Sequence, residues 1–483
     1  MNKTFSKNFL WGGAISACQA EGAYDVDGKS LTFPDIVKRI SPEERENFGQ
    51  AWITEKEINE GKMANISNYP KRWGIDFYHT YVEDIEMLAE MGFKTFRFSI
   101  AISRVFPNLS SEFPNEKALL YYDKVIDTCL KHNIEPLVTM SHFDPPISVW
   151  EDYGGWSNRE LIDIYYKYFK VILDRYHSKV KYWLPFNEIN AGIMAPFKAL
   201  GIISGSGPKY ETMRWQAEHN QFVCAAKTVI YGKKMYPELQ FGCMVFYGTS
   251  YPYSPNPKDV LANQNFDRII NLICLDVQVK GEYPYFAYTH FDKIGAKVEV
   301  SNEDIEILKQ GTADWIGYSY YQSVLTADNM DDKRLVGGNL SGGLKNEYLE
   351  ANEWGWQIDP DGLRYITNQI YDRYRKPIFI LENGIGKIEQ LDGDNKVHDQ
   401  YRSDYLVKHL QALKAAIQDG CEVLGYTWWS PIDIISSGTS EMSKRYGFIY
   451  VDQNEDGTGS KNRYKKDSFY TYKHIIETNG EDL

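Results

Sequence analysis

Eight short apolar runs, each followed by a stretch of helical spacing, constrain the fold of this 483-residue chain most strongly. They fall at residues 9–14, 94–100, 135–143, 182–188, 239–246, 315–321, 377–382 and 423–429. Most are continuously apolar rather than alternating, the pattern of strands buried on both faces. Between them, residues 76–91 put Phe77, Tyr81, Ile85, Leu88 and Met91 on one helical face and stop at Gly92. Residues 121–132, 159–176, 212–235, 361–374 and 399–419 read as helices in the same way. Strands alternating with helices imply a parallel sheet, and eight of them imply a closed (β/α)₈ TIM barrel with elaborated βα loops. With no composition shift to mark a linker, residues 1–483 are expected to form one domain. An open doubly wound sheet is the alternative, but no GxGxxG follows the first strand.

A barrel carries its chemistry at the C-terminal ends of its strands. The expected ends hold Arg97, His142, Asn187 and Glu188, Tyr321, Glu382, and Trp428 and Trp429. Any one of these reads equally well as a cap or a satisfied core group; the set is harder to explain so. Glu188 and Glu382 each close an apolar run abruptly, and burying a bare carboxylate is costly. Glu188 alone reads also as a strand-end carboxylate in solvent, and Glu382 as part of an Asn383-Gly384 turn. Together they suggest a site that needs two carboxyl groups, as glycoside hydrolysis does. Glu188 would then be the general acid and base, with a raised pKa, and Glu382 the nucleophile. Arg97, a cation inside a β run, needs a carboxylate neighbour, which Glu382 would supply, and Tyr321 would add a hydrogen bond.

The net charge of −13 argues against a nucleic-acid or membrane-surface role. The six cysteines (Cys18, Cys129, Cys224, Cys243, Cys274 and Cys421) form no close pair, which fits core thiols in a reducing compartment. No signal-type apolar run opens the chain and no run approaches a membrane span, so the cytoplasm is the expected location. Aromatic residues make up 15% of the chain, enough to line a sugar pocket, though composition alone favours the core. No His or Cys pattern suggests zinc. Asp452, Asn454, Asp456 and Gly457 resemble the start of a calcium loop without its closing glutamate, so a solvated turn is expected there.

The chain resembles glycoside hydrolase family 1 over nearly its whole length. The resemblance runs through Phe9-Leu10-Trp11-Gly12-Gly13-Ala14, Gln19, Phe96-Arg97-Phe98-Ser99, Ser141-His142-Phe143, Phe186-Asn187-Glu188, Leu381-Glu382-Asn383-Gly384 and Lys444-Arg445-Tyr446-Gly447-Phe448. It implies a retaining double displacement with no cofactor, Glu188 as acid/base and Glu382 as nucleophile. It also places Gln19, His142, Asn187, Tyr321 and Trp429 around the sugar and Arg97 beside the nucleophile. The chain departs from the family pattern at Pro185 (usually Thr), Ile102 (usually Trp) and Ser319 (usually Asn). Ser319 weakens the expected hydrogen bonding near the sugar 2-OH.

A further departure bears on the substrate. Ordinary β-glucosidases of the family carry Glu and Trp, which bind the sugar O4 and O6, where this chain has Ser436 and Ser437. With Lys444 and Tyr446 this resembles the branch whose Ser, Lys and Tyr hold a 6-phosphate. A carboxylate there would repel a phosphate dianion; serine, lysine and tyrosine donate to it. The loop is one residue longer than usual, so Ser436, Ser437 or the Gly438 N–H is the expected contact. A solvated basic turn is the alternative for Lys444-Arg445. Phospho-galactosidases usually have Trp at the position of Ser437, so the small residue implies a 6-phospho-β-glucosidase. A 6-phospho-β-galactosidase, an unphosphorylated β-glucosidase and an inactive sugar-phosphate-binding barrel are the rival readings. Tyr247, Tyr251 and Trp354 are candidates for the leaving-group side, and the oligomeric state is open.

Overall fold

The computed structural model describes residues 4–44, 53–63, 68–331 and 343–483; residues 1–3, on which the signal-free reading partly rests, lie outside them. Eight parallel strands close into a barrel. They are β1 (Leu10–Ala14), β2 (Thr95–Ser99), β3 (Glu135–Thr139), β4 (Tyr182–Leu184), β5 (Gln240–Phe246), β6 (Trp315–Tyr320), β7 (Ile378–Asn383) and β8 (Val423–Trp429). Each pairs with its neighbours in chain order, and β8 closes on β1 with Leu10 opposite Gly425 and Ala14 opposite Trp429. Two small two-stranded sheets, Thr249–Pro252 with Ser323–Thr326 and Ile449–Val451 with Arg463–Lys465, decorate the loops.

Alternation divides each strand between two cores. Phe96, Phe98, Val138, Trp183 and Ile380 join the cluster between sheet and helices. Leu137, Leu184, Met244, Trp315, Phe379 and Leu381 form a smaller cluster of their own inside the barrel. That packing explains why the strands read as continuously apolar: both faces are dry.

The six expected helices occur as Phe77–Met91, Glu116–Lys131, Glu160–Tyr176, Gly207–Met235, Pro360–Tyr374 and Gln400–Asp419. Two begin a turn or more before their apolar pattern. Asn115 caps one by accepting from the Lys117 N–H at 3.2 Å, and Pro208 opens the other. Helices at Pro257–Asp267, Ile273–Lys280, Tyr285–Ile294, Asn302–Gln310 and Asp467–Glu477 are additional. The fourth of these starts at the Ser301–Asp304 capping box.

Two strands stop four residues short of the apolar runs that announce them. β3 stops at Thr139 rather than 143, and β4 at Leu184 rather than 188. Pro185 has no N–H to give to a ladder, so β4 ends before it. Phe186 continues the apolar run but spends its ring on Trp156 and Phe169 beneath the helices. His142, Asn187 and Glu188 consequently sit in βα loops, beyond the strands.

The β1–β2 contact depends on Gly12, where an added Cβ would lie 1.9 Å from the Thr95 carbonyl oxygen. Glycine→alanine at this position should force the two strands apart, costing about 1–3 kcal/mol of stability. A thermal midpoint several degrees below wild type is the expected readout.

Candidate active site

Arg97 lies on the inner face of β2 and is completely buried. Its Nη1 donates to Glu382 Oε1 at 2.7 Å and its Nε to Thr139 Oγ1 at 3.0 Å, while Nη2 donates to Asn187 Oδ1. Three strands and the loop after β4 are thereby tied to one guanidinium. An unpaired charge at this depth would cost several kcal/mol, so the carboxylate partner is obligatory.

Glu382 reaches this position through a β-bulge. Tyr318 pairs with Ile380 but Ser319 pairs with Glu382, so Leu381 is the extra residue on β7; the β7–β8 ladder shifts at the same place. Leu381 already packs in the inner cluster, and strict alternation would send the next side chain outward among the helices. The bulge lets Glu382 face inward as well. Its second oxygen, Oε2, accepts from the Tyr321 hydroxyl at 2.7 Å.

Glu188 follows β4 by four residues in left-handed backbone, φ 32° and ψ 61°, a conformation that costs about 1–2 kcal/mol for a residue with a Cβ. Neighbouring bonds hold the loop. Asn187 N–H donates to the Ser141 carbonyl at 2.9 Å, and Asn190 exchanges bonds with Phe246 on β5, 2.7 and 2.8 Å. Ser319, on β6 opposite the bulge, donates its hydroxyl to Glu188 Oε1. Serine at this position therefore serves the Glu188 carboxyl.

The two carboxyls are electrostatically unequal. Burial and the nearby negative charge of Glu382 push Glu188 up to about 8. Burial raises Glu382 too, but Arg97 and the Tyr321 hydroxyl pull it back. Of the pair, Glu188 therefore holds the proton more tightly, and Arg97 favours the charge on Glu382.

Both carboxyls line a cavity of about 360 Å³ with Gln19, His142, Tyr321, Trp429, Ser437 and Tyr446. Gln19 is fixed by Ser16 and by the Ile435 carbonyl, at 2.8 and 2.7 Å. The His142 ring leans on Trp429, 5.6 Å between centroids, and burial beside Arg97 keeps it neutral. Among the described residues, Asn187 Nδ2 and His142 Nδ1 are buried without a hydrogen-bond partner. Buried amide and imidazole groups of this kind are usually satisfied, and sugar hydroxyls have the right chemistry to do so.

Beyond Trp429 the chain turns through residues 436–446. Lys444 is fully buried, its Nζ 4.0 Å from the Trp356 ring centroid, 5.0 Å from Trp354 and 5.7 Å from Tyr446. Ser436 neighbours the Tyr446 hydroxyl. Arg445 turns the other way, to Asp433 and the carbonyls of Val451 and Gln453. Neither cation of the pair is a solvated surface group. One carboxylate borders this side as well: Glu441 accepts from Trp354 Nε1 at 3.2 Å.

Eight of the twelve expected site residues line this cavity; Arg97 and Asn187 bond to one another beside Glu382, and Ser436 and Lys444 adjoin Tyr446 outside the lining. Others were missed. Trp356 lines the cavity, as do Ile36, Val37, Ile40, Ile53, Met194 and Phe197 on the apolar outer wall. Lys198 also lines it, and its position in the loop after Glu188 was the available signal. Tyr247, Tyr251 and Trp354 are not among the lining residues: the two tyrosines bond to Asp267 and Asp359, and Trp354 lies under Lys444. Asp452 and Asp456 bond to Ser460 and Thr458 in an exposed turn.

The chain belongs to glycosyl hydrolase family 1, whose sequence model matches residues 1–481. It is 45% identical to the aryl-phospho-β-D-glucosidase BglH of Bacillus subtilis, across 100% of this chain and 99% of that protein. It is 44% identical to a 6-phospho-β-glucosidase of Clostridium longisporum, covering 99% and 98% of the two chains. Among solved structures it resembles the family 1 β-glucosidase of Thermotoga maritima, with a TM-score of 0.80 and 26% identity over 99% of this chain and 98% of that one.

The raised affinity of Glu188 for its proton has a thermodynamic consequence. The folded chain keeps that proton to about pH 8, whereas the unfolded chain releases it near 4.5. Between those values unfolding releases a proton, so the folded state loses ground as pH rises. Glu188→Gln should match the wild-type thermal midpoint near about pH 4 and exceed it increasingly toward pH 8.

Proposed function

We propose that this chain hydrolyses 6-phospho-β-D-glucosides with retention of configuration, releasing glucose 6-phosphate and an aglycone or sugar. The observation that carries the reading is the composition of one continuous cavity: Glu188 and Glu382 at its floor, Ser437 and Tyr446 at one side. Lys444 is buried directly behind Tyr446. The Bacillus and Clostridium relatives, named for phosphorylated β-glucosides, support the same substrate class.

In the first step Glu382 attacks the anomeric carbon while Glu188 gives its proton to the departing glycosidic oxygen. Arg97 and Tyr321 hold Glu382 ionised and aimed. In the second step Glu188, now a carboxylate, takes a proton from water as that water displaces Glu382. Ser319 accompanies Glu188 through both states. Asn187 donates its free amide hydrogens to the sugar 2-OH, and Gln19, His142 and Trp429 surround the remaining ring. Lys444 and Tyr446, with a donor from the 436–438 turn, hold the phosphate as charge-assisted and neutral hydrogen-bond donors. The chain acts as one unit in the cytoplasm, where phosphorylated sugars are retained. No helix among the described residues is long and apolar enough to cross a membrane.

Turnover needs Glu188 protonated, so kcat/KM should fall as pH rises through about 8. The substrate assignment is tested with 4-nitrophenyl β-D-glucoside and its 6-phosphate. Wild type should prefer the phosphorylated compound by roughly a hundredfold or more in kcat/KM, and Lys444→Ala should lose most of that preference. Equal activity on the two compounds, or a preference untouched by Lys444→Ala, contradicts the assignment.

A further inference from the structure

Residues 436–440 form a tight turn closed by two backbone bonds, Ser436 N–H to the Glu441 carbonyl at 2.9 Å and Ser440 N–H to the Ser436 carbonyl at 3.1 Å. Two further carbonyls of the turn accept from outside it. Lys198 Nζ donates to the Ser437 carbonyl at 3.0 Å, and Ile40 N–H to the Thr439 carbonyl at 2.8 Å. Lys71 donates to the Ser440 hydroxyl at the far end. Among the described residues, the intervening N–H groups of Ser437, Gly438 and Thr439 donate to no backbone carbonyl. Three successive N–H groups of this kind make an anion-binding concavity.

Peptide planarity then gives Lys198 a definite task. In a trans peptide the C=O and the following N–H point in opposite directions. A cation on the Ser437 carbonyl therefore fixes the Gly438 N–H to point away from Lys198, and it polarises that N–H as a donor. Ser437, Gly438 and Lys198 line the same cavity as the two glutamates. Lys198 lies in the short helix Pro196–Leu200, in the loop that also carries Glu188. A glycine turn with no side chain of its own would otherwise be free to rotate this peptide.

We propose that Lys198 is a positioning residue for phosphate recognition, holding the Ser437–Gly438 peptide so that the Gly438 N–H is presented to the 6-phosphate. The proposal rests on the 6-phospho-β-glucoside reading above. It makes the loop after β4 a contributor to phosphate affinity, a role separate from the acid/base chemistry that the same loop carries. It also answers which part of the 436–438 turn meets the phosphate: the backbone at Gly438.

The test measures kcat and KM at pH 7 for wild type, Lys198→Met and Lys198→Arg on 4-nitrophenyl β-D-glucoside 6-phosphate and on 4-nitrophenyl β-D-glucoside. Lys198→Met should raise KM for the phosphorylated substrate roughly tenfold or more, the worth of an oriented hydrogen bond to a charged group, with kcat within about threefold. Preference for the phosphorylated compound should fall in step, and Lys198→Arg, which keeps a cationic donor, should recover most of it. An unchanged KM for the phosphorylated substrate overturns the proposal, as does an equal loss of kcat/KM on both compounds. If Lys198→Met fails to fold, judged by its thermal midpoint, Lys198→Gln takes its place with the same criteria. Wild-type behaviour separates the two levels. No preference for phosphate in wild type defeats the substrate reading itself, whereas a wild-type preference kept intact by the variant defeats only the role of Lys198.

Discussion

A single guanidinium at the centre of the barrel organises this site. Arg97 is buried beyond the reach of solvent and must be neutralised within the protein. It meets that requirement by bonding Glu382 on β7, Thr139 on β3 and Asn187 in the loop after β4. Two of these bonds also set the geometry of the site. Glu382 is oriented and its charged form favoured; Asn187 has its carbonyl oxygen engaged, leaving its amide nitrogen without a protein partner. The unequal proton affinities of Glu188 and Glu382 follow from the same arrangement, because Arg97 bonds one carboxyl and only influences the other from a distance.

The rest of the site is built by devices that re-aim side chains against the regular geometry of their elements. The bulge at Leu381 turns Glu382 inward, and Glu188 itself takes left-handed backbone beyond the end of β4. Both distortions cost free energy that a purely structural barrel has no reason to spend. Serine at 319 then stands opposite the bulge and bonds Glu188, joining the two distortions. On the other side of the cavity stand Lys444, buried among aromatic rings, and buried Lys71 and half-buried Lys198 on the 436–440 turn. A chain of net charge −13 thus gathers three lysines beside one cavity wall, with burial pulling Lys71 down to about 7 and Lys198 to about 8.

The eight strands were legible because a barrel strand is dry on both faces and so reads as an unbroken apolar run. The motifs were legible because Glu, Asn, His and Arg at the ends of such runs conflict with burial. The exact ends of β3 and β4 were hidden by loop residues such as Phe186, which stay apolar to pack under the helices. The bulge at Leu381 has no local signature, since it is defined by register with β6 and β8. Ser319 looked like a loss because its partner, Glu188, is 131 residues away in sequence. Lys198 was overlooked because its partner is a backbone carbonyl, and backbone carries no residue-type signal.

The most direct test of the account is covalent trapping. Wild-type protein is incubated with 2-deoxy-2-fluoro-β-D-glucosyl fluoride 6-phosphate, digested and mapped by mass spectrometry. One stable glycosyl ester is expected, on Glu382, formed much faster than with the unphosphorylated reagent. Labelling at another residue, no labelling, or equal rates with both reagents would contradict it.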